Sequence, residues 1–169
     1  MTVLKNQDGE FTFATVGHNT FKLWKVDSEG ELLFFDVDLP EELTLTSIEN
    51  TEYISAPYNA SLFLIGDSEG HVLVVNSATL EFLAKVDVFD CEIGLIKANS
   101  TSILICNENG NVFNSPINAG KDLFSEKGTC IELDSPAVAI FFDKVFNEGV
   151  IGTMSGSVRY VNWDEGTNI

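Results

Sequence analysis

Positive charge is scarce in this sequence. Nine Lys and Arg stand against 26 Asp and Glu, a formal net charge of −17 over 169 residues. A field of that sign repels phosphate backbones and anionic lipid surfaces, so direct nucleic-acid binding and membrane docking are excluded from the expectations. A basic surface on another protein is its natural complement. Histidine is nearly absent: His18 and His71 are too few and too scattered for a catalytic metal site, which wants three close ligands. Cys91, Cys106 and Cys130 are odd in number and lack metal-ligand spacing, so they are expected to be reduced and structural, in a cytoplasmic setting. No charged start followed by an apolar run marks a secretory signal, and no apolar run approaches the length of a membrane span. The sequons Asn59-Ala60-Ser61 and Asn99-Ser100-Thr101 then read as polar turns. Glycines occur singly, with neither a G-x-G-x-x-G nor a P-loop, so no nucleotide cofactor is implied.

What is present is a folded chain. Hydrophobic residues make up 44% and charged residues 21%, enough for one core in one domain. The apolar residues come in short runs rich in Val, Ile, Phe and Leu, separated by Gly, Asn, Asp and Ser: "FTFATV", "TFKLWKV", "SLFLIG", "HVLVVN", "SILICN", "AVAIFF". Such runs predict strands, and the chain is expected to be all-β. The one helical temptation, "DLPEELTL", is too short to matter.

The strands repeat. An apolar strand, a short polar turn and a second strand recur as "FTFATVGHNTFKLWKV" (11–26), "LFLIGDSEGHVLVVNS" (62–77), "ILICNENGNVFNSPI" (103–117) and "GVIGTMSGSVRYVNW" (149–163). The second strands open at Phe21, Val72, Val112 and Val158, and two further strands fit between copies. Roughly 40–50 residues per four strands is the period of a propeller blade. "GHNTFKLWKV" and the lead-in "LKNQDGEFTFATVG" resemble a WD40 repeat, and their style is similar to repeats of the EMAP-like microtubule-associated and ciliary proteins. The motif is degenerate elsewhere: its Trp position holds Trp24, Val75, Ser115 and Val161, and its Asp position Lys25, Asn76, Pro116 and Asn162. Trp163-Asp164 spells the signature two residues out of register and is discounted.

The resemblance implies a WD40-like β-propeller of about four blades, with units at 1–39, 40–89, 90–134 and 135–169. Residues 2–6 are expected to enter as an inner strand, and the chain to stop after the third strand of its fourth copy. Such rings usually close with seven blades, so an incomplete ring or a fragment of a larger propeller is expected, with a self-closed four-bladed ring as the alternative. Open edges would permit self-association.

Little in the sequence suggests chemistry. "GDSEGH" (66–71) resembles the loop of a nucleophilic serine, but Glu69 stands where a second Gly should shape an oxyanion hole, and His71 lies on the same turn as Ser68. The same turn recurs without that serine as "NENGN" and "MSGS", so a hairpin with Gly70, Gly110 and Gly156 at positive φ is expected. His18 has two readings, a WD40-type hydrogen-bond network tying its turn to Trp24 or a solvated turn residue. Asp36, Asp38, Glu41 and Glu42 lack the spacing of a Ca²⁺ loop and are read as a solvated connection. Phe34-Phe35 and Phe141-Phe142 are expected to pack between blades. No catalytic, cofactor or metal residue is assigned. The expected function is a non-catalytic protein-interaction scaffold in a cytoskeletal or ciliary assembly, binding basic surfaces through loops 27–31, 56–60 and 76–79. Two alternatives are a structural segment that completes a ring with another chain, and a ligand-binding or hydrolytic propeller. The latter would need converging His, Asp or Arg, and the chain has one arginine, Arg159.

Overall fold

The computed structural model describes residues 1–4, 11–39, 43–53, 60–117 and 128–169. Among them every regular element is a strand, and the strands form four antiparallel sheets of four. The first sheet holds β1 (Thr2–Leu4), β2 (Phe11–Gly17), β3 (Thr20–Val26) and β4 (Leu32–Asp36). The second holds β5 (Leu45–Tyr53), β6 (Ala60–Asp67), β7 (His71–Asn76) and β8 (Phe82–Asp87). The third holds β9 (Ile93–Ala98), β10 (Ser102–Asn107), β11 (Asn111–Pro116) and β12 (Thr129–Glu132). The fourth holds β13 (Ala137–Phe142), β14 (Glu148–Thr153), β15 (Val158–Asn162) and β16 (Thr167–Asn168). Each is a simple meander, the arrangement of a propeller blade. The fourth blade is complete: the chain does not stop after its third strand, because Val161 and Asn162 pair with Asn168 and Thr167. That two-residue strand is too short and polar to register as an apolar run.

Blades stack face to face, and the first strands of neighbouring blades (β1, β5, β9, β13) meet in sequence along the inner side. Side chains alternate across a strand, so each blade has a forward face toward the next blade and a backward face toward the previous one. Between the first two blades, Ala14 and Phe21 meet Phe63, Ile65, Leu73 and Val75. Phe21 stands edge-on to Phe63 with centroids 5.4 Å apart. Between the second and third, Leu64, Val72 and Val74 meet Ile93, Ile96, Ile103 and Ile105. Between the third and fourth, Leu104, Cys106 and Val112 meet Ala137, Ile151 and Val161. The middle blades are covered on both sides, which is why "HVLVVN" is apolar without alternation.

Polar cross-ties accompany the apolar layers. Thr46 Oγ1 donates to the carbonyl of Ile93, and Thr51 Oγ1 to that of Asn99 at 2.8 Å. Lys97 Nζ reaches Glu49 Oε2 at 2.8 Å, and Asn99 Nδ2 the carbonyl of Lys144 at 2.9 Å. Asn99, first residue of the second sequon, also accepts three hydrogen bonds from Thr101 and Ser102 on Oδ1, so it shapes a turn.

The phenylalanine ladders depart from expectation. Only Phe142 packs between blades, near Phe146 and Trp163; Phe34, Phe35 and Phe141 are exposed. Phe34 and Phe141 lie on the faces of the first and last blades that have no neighbour within the chain, and Phe35, on the opposite face from Phe34, lies on the edge strand β4. The expectation of three structural cysteines holds for Cys106, whose burial pushes its thiol up to about 12. Cys91 is half-buried and Cys130 exposed, and all three are free.

Candidate interaction surface

The turns between the second and third strands are built alike. Gly70, Gly110 and Gly156 have φ of 95°, 85° and 89°, and Asn19, at the same distance before Phe21, has φ of 49°. Asn is among the few residues other than Gly that accept this conformation. In the second blade Asp67 Oδ1 accepts from the amides of Glu69 and His71, both at 2.9 Å. In the third, Asn107 Oδ1 accepts from Asn109 at 3.1 Å and Asn111 at 2.8 Å. These Asx turns fold each tip over its own strand end.

Each turn is also tied to the linkers beside it. The amides of Ser68, Glu108 and Met154 donate to the carbonyls of Thr44, Glu92 and Pro136 in the linkers entering their blades. The leaving linkers return the contact: Val88 and Phe89 donate to the carbonyl of Gly70, and Leu133 to that of Gly110. Turns and linkers therefore form one continuous edge of the stack.

Ser68 thus contributes a backbone amide to this edge. Its neighbour His71 directs Nδ1 to Oδ2 of the fully buried Asp67 at 2.8 Å, with Nε2 3.5 Å from Asp87. His71 is turned to Asp67, and Ser68→Ala is expected to change stability by less than about 0.5 kcal/mol in urea titration. His18 does not reach Trp24. Its Nδ1 lies 2.8 Å from Thr44 Oγ1, across the boundary to the second blade, while the Trp24 indole N–H donates to Thr15 Oγ1 at 2.8 Å. Trp24 sits opposite Phe13, well down the hairpin from the His18 turn, so strand geometry separates them. Trp163, in the out-of-register pair, lies beyond β15 and its buried indole N–H has no partner.

Two open depressions mark the first part of this edge. One of about 480 Å³ is lined by Asn19, Thr20, Phe21, Asp36, Val37, Asp38 and Leu39. The other, about 230 Å³, is lined by His18, Asn19, Leu43, Thr44, Ser68 and Glu69. Asp36 pairs with Lys22 at 3.4 Å; Glu41 and Glu42 lie outside the described residues. The described turn and linker segments 17–19, 37–39, 43–44, 68–70, 88–92, 108–110, 133–136 and 154–157 carry Asp38, Glu69, Asp90, Glu92, Glu108 and Asp134, and no Lys or Arg. At its far end, the hydroxyls of Ser155 and Ser157, backed by Arg159, hold the Asp134 carboxyl below the usual carboxylate range. The acid bias of this edge is legible in the sequence once the turns are known.

The loops singled out from the sequence lie at the opposite edge. In 27–31, Asp27 Oδ1 accepts from the amides of Glu29 and Glu31, both at 2.9 Å. In 76–79, Asn76 Oδ1 accepts from Ala78 at 2.9 Å and Thr79 at 3.1 Å. Loop 56–60 falls outside the described residues except for its last position. Among the described residues, no group of three or more His, Cys, Asp or Glu is placed to hold a metal ion, and no helix is long and apolar enough to cross a membrane.

No family model matches the chain. It is 26% identical to WD repeat-containing protein 90 of Xenopus tropicalis over 93% of its length, and 25% identical to that of Mus musculus over 90%. It spans 9% of the length of both relatives. Among solved structures, the β-propeller domain of Myceliophteria thermophila Cps50 (Swd1) superposes on 96% of the chain with a TM-score of 0.72 at 12% identity. A chain of the mitotic checkpoint complex does so on 99%, with a TM-score of 0.71 at 10% identity. The chain covers 55% and 49% of those two. Four meander blades and propeller neighbours give the chain a β-propeller fold, and in sequence it is similar to WD repeat-containing protein 90.

Proposed function

We propose that the chain is a non-catalytic scaffold whose acidic turn-and-linker edge binds a basic segment of another protein. The observation that carries this reading is the charge of that edge, whose backbone-locked turns and described linkers carry carboxylates and no Lys or Arg of their own. Turns held by Asx bonds and linker ties lose little freedom on binding, so a partner meets a rigid surface. The two depressions beside His18 and Asp36 give long basic side chains a place to lie. Loops 27–31 and 76–79 serve the scaffold in a lesser role, at the edge opposite this surface. We place the protein in the cytoplasm, in a cytoskeletal or ciliary assembly, on the strength of the EMAP-like style of "GHNTFKLWKV".

Salt decides the electrostatic part. Binding of a basic partner, captured from the source cell and titrated by calorimetry, is expected to weaken as ionic strength rises, with most of the change in the association rate. Affinity that stays flat from low to high salt would remove the acidic edge from the interface. A Ser68-dependent hydrolytic turnover, lost in the alanine variant, would contradict the non-catalytic reading.

A further inference from the structure

A blade has a rim as well as two faces. Its fourth strand runs along that rim, paired on one side and open on the other, wherever in a ring the blade stands. An open edge is a template for another strand, and proteins blunt it with short strands, lysine, proline or bulges. Among the described residues, three of the four outer strands are blunted. β8 carries Lys85 and a bulge against β7 between Val74 and Val75, β12 has four residues, and β16 has two. β4 has none of these devices. It pairs with β3 in unbroken register over five residues, and its sequence "LLFFD" holds no charge before Asp36.

Leu32, Leu33, Phe34 and Phe35 are all exposed, on both faces of the strand. Phe35 lies opposite Leu23, which packs into the layer against the second blade. Leu33 and Phe35 therefore stand on the covered face of the sheet and are still open at the rim, 45% and 51% exposed. The backbone has a definite phase. Asp27 N–H donates to the Glu31 carbonyl at 3.0 Å, and Val37 N–H to the Phe21 carbonyl at 2.9 Å. Directly bonded residues alternate with unbonded ones in an antiparallel pair. Leu33 and Phe35 thus turn their amides and carbonyls to β3, while Leu32, Phe34 and Asp36 turn theirs outward.

Charge selects the occupant. Asp27, Glu29 and Glu31 precede the strand, Asp36 and Asp38 close it, and no Lys or Arg stands between residues 27 and 38. Lys22 and Lys25 lie one strand further in, on β3, and Lys22 pairs with Asp36 at 3.4 Å. Two copies of β4 laid antiparallel would set the acids at each end against those of the other copy, and like charges in opposition destabilise a strand pair. A segment with an apolar centre and basic ends meets apolar with apolar and acid with base. We propose that β4 is a docking edge, at which a basic-flanked extended segment of another protein adds as a fifth strand to the first blade. Main-chain hydrogen bonds to Leu32, Phe34 and Asp36 supply affinity, and the flanking side chains supply selection. This rim meets the acidic turn-and-linker edge at Asp36 and Asp38 and otherwise lies apart from it.

A fluorescein-labelled peptide, KKVTVTVKK, tests the proposal beside KKVTPTVKK, which keeps the charge and cannot complete the ladder. Anisotropy should show saturable binding of the first and at least about tenfold weaker binding of the second. Amide exchange reads the phase. The Leu32, Phe34 and Asp36 amides should slow in the complex, whereas those of Leu33 and Phe35 should be slow already in the free protein. Phe35→Lys gives β4 a lysine of the kind β8 carries, and should weaken KKVTVTVKK to the level of the proline peptide with an unchanged circular dichroism spectrum. Equal binding of the two peptides would overturn the proposal and leave the acidic edge standing, because charge alone would then be acting. No binding of either would overturn it as well. So would a dimer of the free protein that Phe35→Lys disperses, since the occupant would then be a second copy.

Discussion

Gly70→Ala should destabilise the fold by about 3–5 kcal/mol, and Gly156→Ala by about 1–2 kcal/mol, although both residues sit in the same turn position with φ near 90°. Backbone strain is common to the two, because an L side chain rarely adopts that conformation. The difference is what the new methyl would strike. At Gly70 it would stand 2.3 Å from the Phe89 carbonyl oxygen and 2.9 Å from that of Cys91, atoms of the linker into the third blade. Neither can yield as a flexible side chain would, and the same displacement breaks the hydrogen bonds from Val88 and Phe89 to the Gly70 carbonyl. At Gly156 the space is open. Urea unfolding midpoints of the two variants measure the contrast. Equal losses would mean that the linker ties do not matter and that the turn alone sets the cost.

Phe63→Ala is the second large effect, expected to cost about 3–5 kcal/mol. Phe63 is fully buried in the layer between the first two blades, edge-on to Phe21 and beside the Ile65, Leu73 and Val75 surface. Removing the ring loses its transfer free energy and leaves a cavity that flat, hydrogen-bonded sheets on either side cannot collapse to fill. Phe35→Ala, on a half-exposed ring at the rim of the first blade, should cost under about 1 kcal/mol. The pair of denaturation curves asks whether stability resides in the layers between blades. A similar loss in both would place it elsewhere.

Much of this architecture could be read from residue patterns because a blade is a local object. Period-two alternation, a four-strand spacing and a glycine at each turn are all written within about fifty residues, and the glycines were found at positive φ where the turns required it. The polar role of Ser68 was legible for the same reason: the turn recurs without it. What escaped was set by neighbours. His18 looks to Thr44, 26 residues away in the linker to the next blade, and no local motif announces that partner. The exposure of Phe34 and Phe141 depends on their blades lying at the ends of the stack, and that of Phe35 on β4 being an edge strand, which strand composition does not encode. The acidic edge escaped because its carboxylates are spread one or two at a time over five segments that only the fold gathers.

Stacking blade on blade has a consequence for how the molecule comes apart. Each blade is held by its neighbours alone, so the free energy of the whole behaves as a sum over adjoining pairs, as in a one-dimensional array. The second blade, with Leu62 through Ile65 and Val72 through Val75 sealed on both sides, has two such terms, while the first and fourth have one each. Opening therefore begins at the ends and moves inward, and the strands from Ala60 to Asn107 form the last cooperative unit to lose its protection. Closing the stack into a ring would give every blade two neighbours and turn a graded unravelling into a single event.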